Sequence, residues 1–254
     1  MRRFVASYRK HNHTSVNSEL TGKVVLITGA SGGIGSAIAR KFAQEGAQLV
    51  LHCRQNVQTA EVLRCELNAV ESIVLRADLT KEAEVKRLFA RARRRFGRVD
   101  TLIANAGSWE TRDIPVQQMS LRQWRQTLDA VLTSVFLSVR EFLGLVAWQG
   151  RGNAVLIAST AAVFGEAGHA DYAAAKSAIA YGLTRSLKNE MARLAPHTAE
   201  YCGGRVNCVC PGWTAVPRTA AKLGQAEVVR KVTATMALPQ IARPFAGGGI
   251  GLGH

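Results

Sequence analysis

Tyr172 and Lys176 stand four residues apart in the segment DYAAAK, with only alanines between them. Alanine favours helix strongly, and residues four apart share one face of a helix, so the two side chains are predicted to lie side by side. A cation next to a phenol stabilises the phenolate, which would suit the pair to proton transfer. A tyrosine packed on a helix beside a solvated lysine would show the same spacing, so the pair needs support from other residues.

The segment TGASGGIG, residues 28–35, has the composition of a turn that binds phosphate groups. It follows an apolar run and opens a helical pattern, so backbone N–H groups at the helix N-terminus could bind a pyrophosphate. Gly29, Gly33 and Gly35 would let the backbone approach such a ligand closely. A glycine loop can also be only a tight turn, but its position between a strand and a helix favours a dinucleotide site.

The end of the second predicted strand reads HCRQN, residues 52–56, and contains no acidic residue. An acid at this distance from the glycine turn would bind a free ribose 2′-hydroxyl, whereas the Arg54 guanidinium could pair with a 2′-phosphate. Arg54 could also be an ordinary surface charge. The missing acid and the arginine together favour NADP(H) over NAD(H).

The elements that must position these residues alternate between short apolar runs and longer helical patterns. Several of the apolar runs are continuous rather than alternating, as expected for strands buried on both faces. This repetition predicts an α/β fold of the Rossmann type, a doubly wound parallel sheet flanked by helices. The predicted strands are 24–29, 48–53, 72–79, 100–107, 153–159 and 205–210, and the predicted helices are 34–45, 57–69, 81–95, 120–147 and 170–194. We expect a basic N-terminal tail at 1–20, a single domain at 21–244 and a glycine-rich C-terminal tail at 245–254.

The chain carries 33 basic and 18 acidic residues, a net charge of +15, which favours anionic partners without choosing among them. In the basic run 86–98 the apolar residues follow helical spacing, so the arginines are expected on a solvated face rather than on nucleic acid. The phenylalanines of this run, Phe89 and Phe96, belong to its apolar face, so it lacks aromatic residues interleaved with the arginines that could stack on bases. We therefore predict no nucleic-acid partner. No run of 18 apolar residues occurs, since charged residues interrupt 128–148, and we therefore expect no membrane span.

The five cysteines lack the spacing of a zinc site and are interpreted as reduced thiols of a cytoplasmic protein. We predict no metal site. The first eighteen residues carry four basic residues and no acid. An organellar transit peptide therefore stays open as an alternative to a simple tail.

Several further motifs occur in order along the chain: Asp78 in RADL, ANAG at 104–107, Ser159 in IAST, and CPG at 210–212. Together with the glycine turn and YAAAK, they resemble the short-chain dehydrogenase/reductase family over about residues 20–244, in particular reductases of the 3-oxoacyl-carrier-protein group. Ser159 precedes Tyr172 by 13 residues, the separation that this family uses. The resemblance implies an NADP(H)-dependent oxidoreductase acting on a small carbonyl or alcohol, and a homo-oligomer formed through the long helices.

The resemblance also implies roles for individual residues. Tyr172 would be the general acid when a carbonyl is reduced and the base when an alcohol is oxidised, with Ser159 binding the substrate oxygen. Lys176 would lower the pKa of the phenol and contact the nicotinamide ribose. The cofactor-binding residues would be Gly29, Ser31, Gly33, Ile34, Gly35, Arg54, Asp78, Leu79, Asn105, Ala106, Gly107, Tyr172, Lys176, Pro211, Gly212 and Thr214.

Three features depart from the family pattern. Val131 stands where the family has an asparagine that completes a proton relay, and helical geometry is expected to direct Thr133 and Ser134 elsewhere. Val216 replaces a threonine that contacts the nicotinamide, although Thr214 could substitute for it. The glycine-rich segment 245–254 cannot form the family's last helix and strand, so both are expected to be missing. A catalytically weak or silent dinucleotide-binding protein is therefore the alternative function.

Overall fold

The computed structural model describes residues 18–108, 110, 112–234 and 241–244. The predicted glycine-rich tail and nearly all of the predicted N-terminal tail lie outside these residues. Six strands form one parallel sheet in the order β3-β2-β1-β4-β5-β6. The strands are β1 (Val24–Ile27), β2 (Gln48–Cys53), β3 (Ser72–Arg76), β4 (Thr101–Ala104), β5 (Asn153–Ile157) and β6 (Arg205–Val209). The predicted doubly wound α/β fold is confirmed.

Helices connect the strands and cover both faces of the sheet. Two of them are long and contain a short π-helical segment, at 129–133 between α4 and α5 and at 178–183 between α7 and α8. The helices are α1 (Gly33–Gln44), α2 (Val57–Glu66), α3 (Glu82–Phe96), α4 (Leu121–Leu128), α5 (Ser134–Gln149), α6 (Ala161–Phe164), α7 (Ala170–Ser177), α8 (Thr184–Leu194), α9 (Pro217–Leu223) and α10 (Ala226–Thr233).

The two faces of the sheet bury alternate residues of each strand, because successive side chains point to opposite faces. In β1, Val24 and Leu26 join the core beneath α3, α5 and α8, which includes Phe142. Val25 and Ile27 join the opposite core beneath α1 and α2. Burial on both sides explains why this strand reads as a continuous apolar run.

The strands end sooner than predicted, and the reason bears on the site. β1 stops at Ile27 rather than residue 29 because Gly29 takes a left-handed conformation, with φ +67°, that no strand contains. The glycine turn after β1 and the ANAG segment after β4 therefore meet at the carboxyl edge of two adjacent central strands. The chain crosses to opposite sides of the sheet at this point, which is where open α/β sheets bind ligands.

The long helix Leu121–Gln149 has 29 residues and a mean hydropathy of 1.7 in its most apolar window, so by length and composition it could cross a membrane. The charged residues that interrupt 128–148 had predicted no such helix. Half of that window is buried inside the protein, where Val135, Phe142 and Val146 belong to the core. We interpret it as a core helix.

Candidate active site

The turn after β1 is shaped for close approach of a ligand. The Gly32 N–H donates to the Gly29 carbonyl at 3.0 Å, and helix α1 begins at Gly33. A Cβ at Gly35 would collide with the Gly29 carbonyl oxygen and would lie 2.8 Å from the Asn105 amide nitrogen. The free N–H groups at the start of α1 are thus held against a turn that only glycine permits, as a pyrophosphate site requires.

Two buried side chains hold this turn in place. The Gly29 N–H donates to Nδ1 of His52 at 3.1 Å, so the ring carries its proton on Nε2, which lies 3.0 Å from the Ala77 carbonyl oxygen. Burial lowers the pKa of His52 to about 4, which keeps the ring neutral. On the other side, Nδ2 of Asn105 donates to the carbonyl of Thr28 at 3.0 Å.

The glycine turn opens onto a cleft of about 460 Å³, called here the nucleotide cleft. It is lined by all the predicted cofactor-binding residues that follow the first four strands: Gly29, Ser31, Gly33, Ile34, Gly35, Arg54, Asp78, Leu79, Asn105, Ala106 and Gly107. The exposed Arg54 lies at the tip of β2, and Nε of Arg76 donates to its carbonyl at 3.1 Å. Burial opposes ionisation of Asp78, but hydrogen bonds from Thr80 and the charge of Arg54 outweigh it and lower the pKa of Asp78.

The residues of the nucleotide cleft fit a dinucleotide. A Cβ at Gly33 would lie 2.5 Å from the Val216 side chain, so this residue must be glycine for Val216 to pack against the helix start. Helix N–H groups suit the pyrophosphate, and the guanidinium at the far end suits a further phosphate.

A second cleft, of about 160 Å³, contains the predicted catalytic residues and is called here the reaction cleft. Ser159 follows β5, while Tyr172 and Lys176 come from α7, and all three line it. Pro211, Gly212 and Thr214 complete the predicted set. The nucleotide and reaction clefts share four lining residues, Ile34, Asn105, Gly107 and Val216. The structure therefore brings every predicted site residue into two adjoining clefts.

Burial dominates the electrostatics of the reaction cleft. It raises the pKa of Tyr172, although a hydrogen bond with Ser159 acts in the opposite direction. Burial also lowers the pKa of Lys176 to about 8, and its Nζ donates to the Ile157 carbonyl at 2.6 Å. The net shift of the Tyr172 pKa is therefore upward, opposite to the lowering expected from the lysine neighbour, because burial predominates. The Lys176 Nζ lies 5.7 Å from the centre of the tyrosine ring.

Comparison with known proteins agrees with this arrangement. Residues 23–227, well over half of the chain, match the family model of the short chain dehydrogenases. The chain belongs to this family. A 3-oxoacyl-[acyl-carrier-protein] reductase of Synechocystis is 35% identical to it over 202 residues, which are 79% of this chain and 77% of that relative.

Two further relatives of this short-chain dehydrogenase extend the comparison. A cis-4-hydroxycyclohexanecarboxylate dehydrogenase of Sinomonas cyclohexanicum is 33% identical over 224 residues, covering 87% of this chain and 84% of the relative. An acetoacetyl-CoA reductase of Acinetobacter is 32% identical over 225 residues, covering 87% of this chain and 86% of the relative. The family membership makes the chain an oxidoreductase with a nicotinamide cofactor.

The position at which the family resemblance implies a relay asparagine is buried. Val131 has no exposed surface and packs in the core, within the π-helical segment. Ser134, however, lines the nucleotide cleft, with its hydroxyl donating to the Ala130 carbonyl at 2.9 Å. The expectation that helical geometry directs Ser134 away from the site is wrong, because a π-helical turn holds an extra residue and so rotates the later residues of the helix about its axis.

Thr214 and Val216 follow the proline–glycine turn and contact neighbouring segments of the chain. The Thr214 hydroxyl turns back and donates to the Gly212 carbonyl at 3.0 Å. The Thr214 backbone forms a bridge with Ala242. Val216 packs over Gly33 and lines both clefts, so it forms part of the wall between them.

Sequence reasoning missed a buried carboxylate next to the predicted acid. Asp171 is 1% exposed and accepts hydrogen bonds from the Thr127 hydroxyl at 2.6 Å and from Nε2 of Gln123 at 3.2 Å. It also accepts one from the Tyr172 backbone N–H at 2.8 Å. Asp171 thus ties α4 to the first turn of α7 and fixes the start of the helix that carries the tyrosine. An acid directly before the tyrosine was visible in the sequence, but its partner 44 residues away was not.

Glu166 and Trp213 are also missed residues of the reaction cleft. Glu166 stands six residues before Tyr172, a signal that could have been noticed in the sequence. Trp213 directly follows the predicted CPG motif.

Proposed function

We propose that this dehydrogenase is NADP(H)-dependent and transfers a hydride between the nicotinamide and a small carbonyl or alcohol, with Tyr172 as the general acid or base. One observation carries the proposal: Ser159, Tyr172 and Lys176 line a single cleft that adjoins the glycine-turn cleft. The relatives named as reductases of 3-oxoacyl and acetoacetyl groups support a carbonyl substrate.

The residues of the reaction cleft divide the proton chemistry among them. In the direction of reduction, the Ser159 hydroxyl donates a hydrogen bond to the substrate oxygen and Tyr172 transfers its phenolic proton to the same atom. The nicotinamide, when bound, supplies the hydride. The buried Lys176 keeps a positive charge next to the phenolate that results, which stabilises it. Oxidation reverses each step.

The proposed cofactor preference depends on Arg54. Asp78 is the only carboxylate among the described residues that line the nucleotide cleft, and Thr80 and the nearby Arg54 already stabilise its charge. A guanidinium at the tip of β2 suits a 2′-phosphate. We expect Arg54→Gln to weaken NADPH binding about 10- to 100-fold, since hydrogen bonds to charged groups contribute about 1.5–3 kcal/mol. NADH binding should not change, and an equal loss for both cofactors would contradict the preference.

Tyr172→Phe tests the proposed catalysis. Without the phenolic hydroxyl, turnover of an accepted carbonyl substrate should fall about 10²- to 10⁴-fold. Cofactor binding, measured by tryptophan fluorescence, should stay unchanged. Tyr181→Phe is the matched control, because Tyr181 is exposed on the second long helix. Unchanged turnover in the Tyr172 variant would exclude this tyrosine as the acid.

Burial of Val131 favours a second candidate function, a dinucleotide-binding protein with weak or no catalysis. A valine with no exposed surface cannot hold water or pass a proton to Lys176. This candidate predicts cofactor binding without turnover across a broad panel of carbonyl compounds. Turnover that depends on Tyr172 would exclude it.

We further propose a cytoplasmic homo-oligomer that acts on a small molecule rather than on nucleic acid or membranes. All five cysteines are free thiols, as expected in a reducing compartment. Phe136 and Tyr181 are 46% and 44% exposed on the two long helices, and such aromatic residues are common in subunit interfaces. Analytical ultracentrifugation should show a dimer or tetramer, and Phe136→Glu should shift the association equilibrium toward the monomer.

A further inference from the structure

Glu166 is a carboxylate in the reaction cleft that the proposed proton chemistry does not use. It lies between α6 and α7 and lines the cleft together with Ser159 and Tyr172. Its side chain is partly buried. The negative charge of Glu166 contributes to the raised pKa of Tyr172, so the two groups are within electrostatic reach of each other.

The loop that carries Glu166 is fixed by its own backbone. Gly165 and Gly168 have φ angles of +75° and +79°, which favour glycine on both sides of the carboxylate. The His169 N–H donates to the Glu166 carbonyl at 3.1 Å, and the Ile114 N–H donates to the Gly168 carbonyl at 2.9 Å. A Cβ at Gly168 would lie 2.9 Å from the Asp113 side chain, so this loop packs tightly on the neighbouring one. The backbone that carries the carboxylate is therefore held in place before any substrate binds.

The described residues provide no hydrogen bond or ion pair to the Glu166 carboxylate. His169 and Lys222 act on Glu166 through electrostatics, but their hydrogen bonds go to Asp113, from Nε2 of His169 at 3.0 Å and from Nζ of Lys222 at 3.4 Å. Burial raises the pKa of Glu166, which is consistent with a carboxylate partly removed from water. A partly buried acceptor without a donor costs free energy, and a donor on a ligand would remove that cost.

We propose that Glu166 determines specificity by binding a hydroxyl or ammonium group of the substrate. The substrate class would then be small carbonyl compounds that carry such a donor, and carbonyl acids would be rejected by like-charge repulsion. This inference deepens the proposed function and rests on it. Glu166 is the only carboxylate among the described residues that line the reaction cleft, so no second one there competes for the donor.

Binding of matched ketones to the protein saturated with NADP⁺ tests the inference, because the keto group and the oxidised cofactor cannot react. NADPH absorbance would be followed in the same samples to verify that the hydroxyl group of a hydroxyketone is not oxidised. Isothermal titration calorimetry would compare three nearly isosteric compounds: hydroxyacetone, 2-butanone and pyruvate. A second set, 4-hydroxy-2-butanone, 2-pentanone and acetoacetate, allows for a longer distance between the carbonyl and the donor. In at least one set the hydroxyketone should bind about tenfold or more tightly than the methyl ketone, and the acid should bind most weakly.

Two variants separate charge from hydrogen bonding. Glu166→Gln keeps an acceptor of the same size but removes the charge, so affinity for the acid should rise about tenfold while the hydroxyketone retains much of its preference. Glu166→Leu removes both, and the preference for the hydroxyketone over the methyl ketone should disappear. Glu190→Gln changes an exposed carboxylate on α8 and should alter none of these affinities.

The outcomes for Glu166 and for catalysis are read separately. Equal binding of all three compounds, no binding of any, or affinities that do not change in the Glu166 variants would overturn the inference, whether or not the protein turns over a substrate. Conversely, Glu166-dependent binding in a protein whose turnover does not depend on Tyr172 would support the binding role of Glu166 and contradict the proposed catalysis.

Discussion

The nucleotide cleft and the reaction cleft are built by different means. Around the nucleotide cleft, backbone geometry predominates: Gly29 and Gly35 shape the turn, and His52 and Asn105 hold it through short hydrogen bonds. Around the reaction cleft, side chains from several segments of the chain converge, and burial rather than hydrogen bonding sets their protonation.

This difference explains why one cleft reveals its ligand and the other does not. A pyrophosphate is recognised by N–H groups that every residue except proline has, so the site is identified by where side chains are missing. A substrate is recognised by the particular side chains that face it, and here Glu166 and Trp213 were found only in the folded structure. Changes to the first cleft should therefore act through sterics, and changes to the second through charge and hydrogen bonding.

Gly35→Ala should have the largest effect, because its Cβ would meet the backbone of Gly29 and Ala30, which cannot yield. We expect NADPH affinity to fall about 100-fold, equivalent to about 3 kcal/mol of overpacking. Cofactor titration followed by thermal unfolding would measure both effects. Gly144→Ala is the control, since a Cβ there meets nothing within 4 Å, and it should raise stability slightly. Normal cofactor affinity in Gly35→Ala would show that the turn can relax.

Asp171→Ala should lower stability by about 3 kcal/mol, because the buried Thr127 hydroxyl and the Tyr172 N–H would lose their acceptor. Turnover should fall with it, since the start of α7 would no longer be fixed, while NADPH binding to the other cleft should persist. Denaturant unfolding and steady-state rates measure the two effects. Asp129→Ala removes an exposed aspartate that also accepts from a threonine, Thr133, and should cost less than about 1 kcal/mol. Equal losses in the two variants would contradict the anchoring role of Asp171.

The buried His52 should make stability depend on pH. Its folded pKa of about 4 lies below the ordinary value of 6.5, so the unfolded chain binds the proton more readily and stability falls as pH decreases from 6.5 to 4. Between pH 7 and pH 5 the loss from this group should be about 2 kcal/mol. Denaturant unfolding at both pH values would show it, and His52→Gln should remove this part of the difference. An unchanged pH difference in that variant would assign the effect to other groups.

Val131→Asn comes last, because it should lower the stability of the protein while raising its turnover. An amide at this fully buried position should cost about 2 kcal/mol of stability. If the position is the missing relay residue, turnover should nevertheless rise. Val139→Asn provides the control, because Val139 is buried in the same core along α5 and should lose stability without gaining activity. The relay assignment fails if the two variants behave alike.

The sequence predicted the fold and the site where local signals and topology agree. Each motif follows a strand of the sheet or, for Tyr172 and Lys176, lies on a helix after one, and the carboxyl ends of parallel strands meet at one edge. The order of the motifs was therefore sufficient to bring the residues of the two clefts together. The predicted ends of the strands were less accurate, because a turn such as Gly29 ends a strand while the apolar run continues.

Features that depend on burial or on distant contacts could not be predicted. Ser134 faces the nucleotide cleft because a π-helical segment precedes it, and no residue pattern in 129–133 indicates that segment. The raised pKa of Tyr172 follows from the tertiary environment of its helix rather than from the neighbouring lysine. The role of Asp171 depends on Thr127, which is distant in the sequence.

The wall shared by the two clefts links their ligands thermodynamically. Val216 packs over Gly33 and also lines the reaction cleft together with Ser159 and Tyr172. A ligand that shifts this valine in one cleft changes the shape of the other. Because such coupling is reciprocal, whatever factor the cofactor applies to substrate affinity, the substrate must apply to cofactor affinity. Enlarging or shrinking residue 216 would thus change both dissociation constants and the factor that connects them.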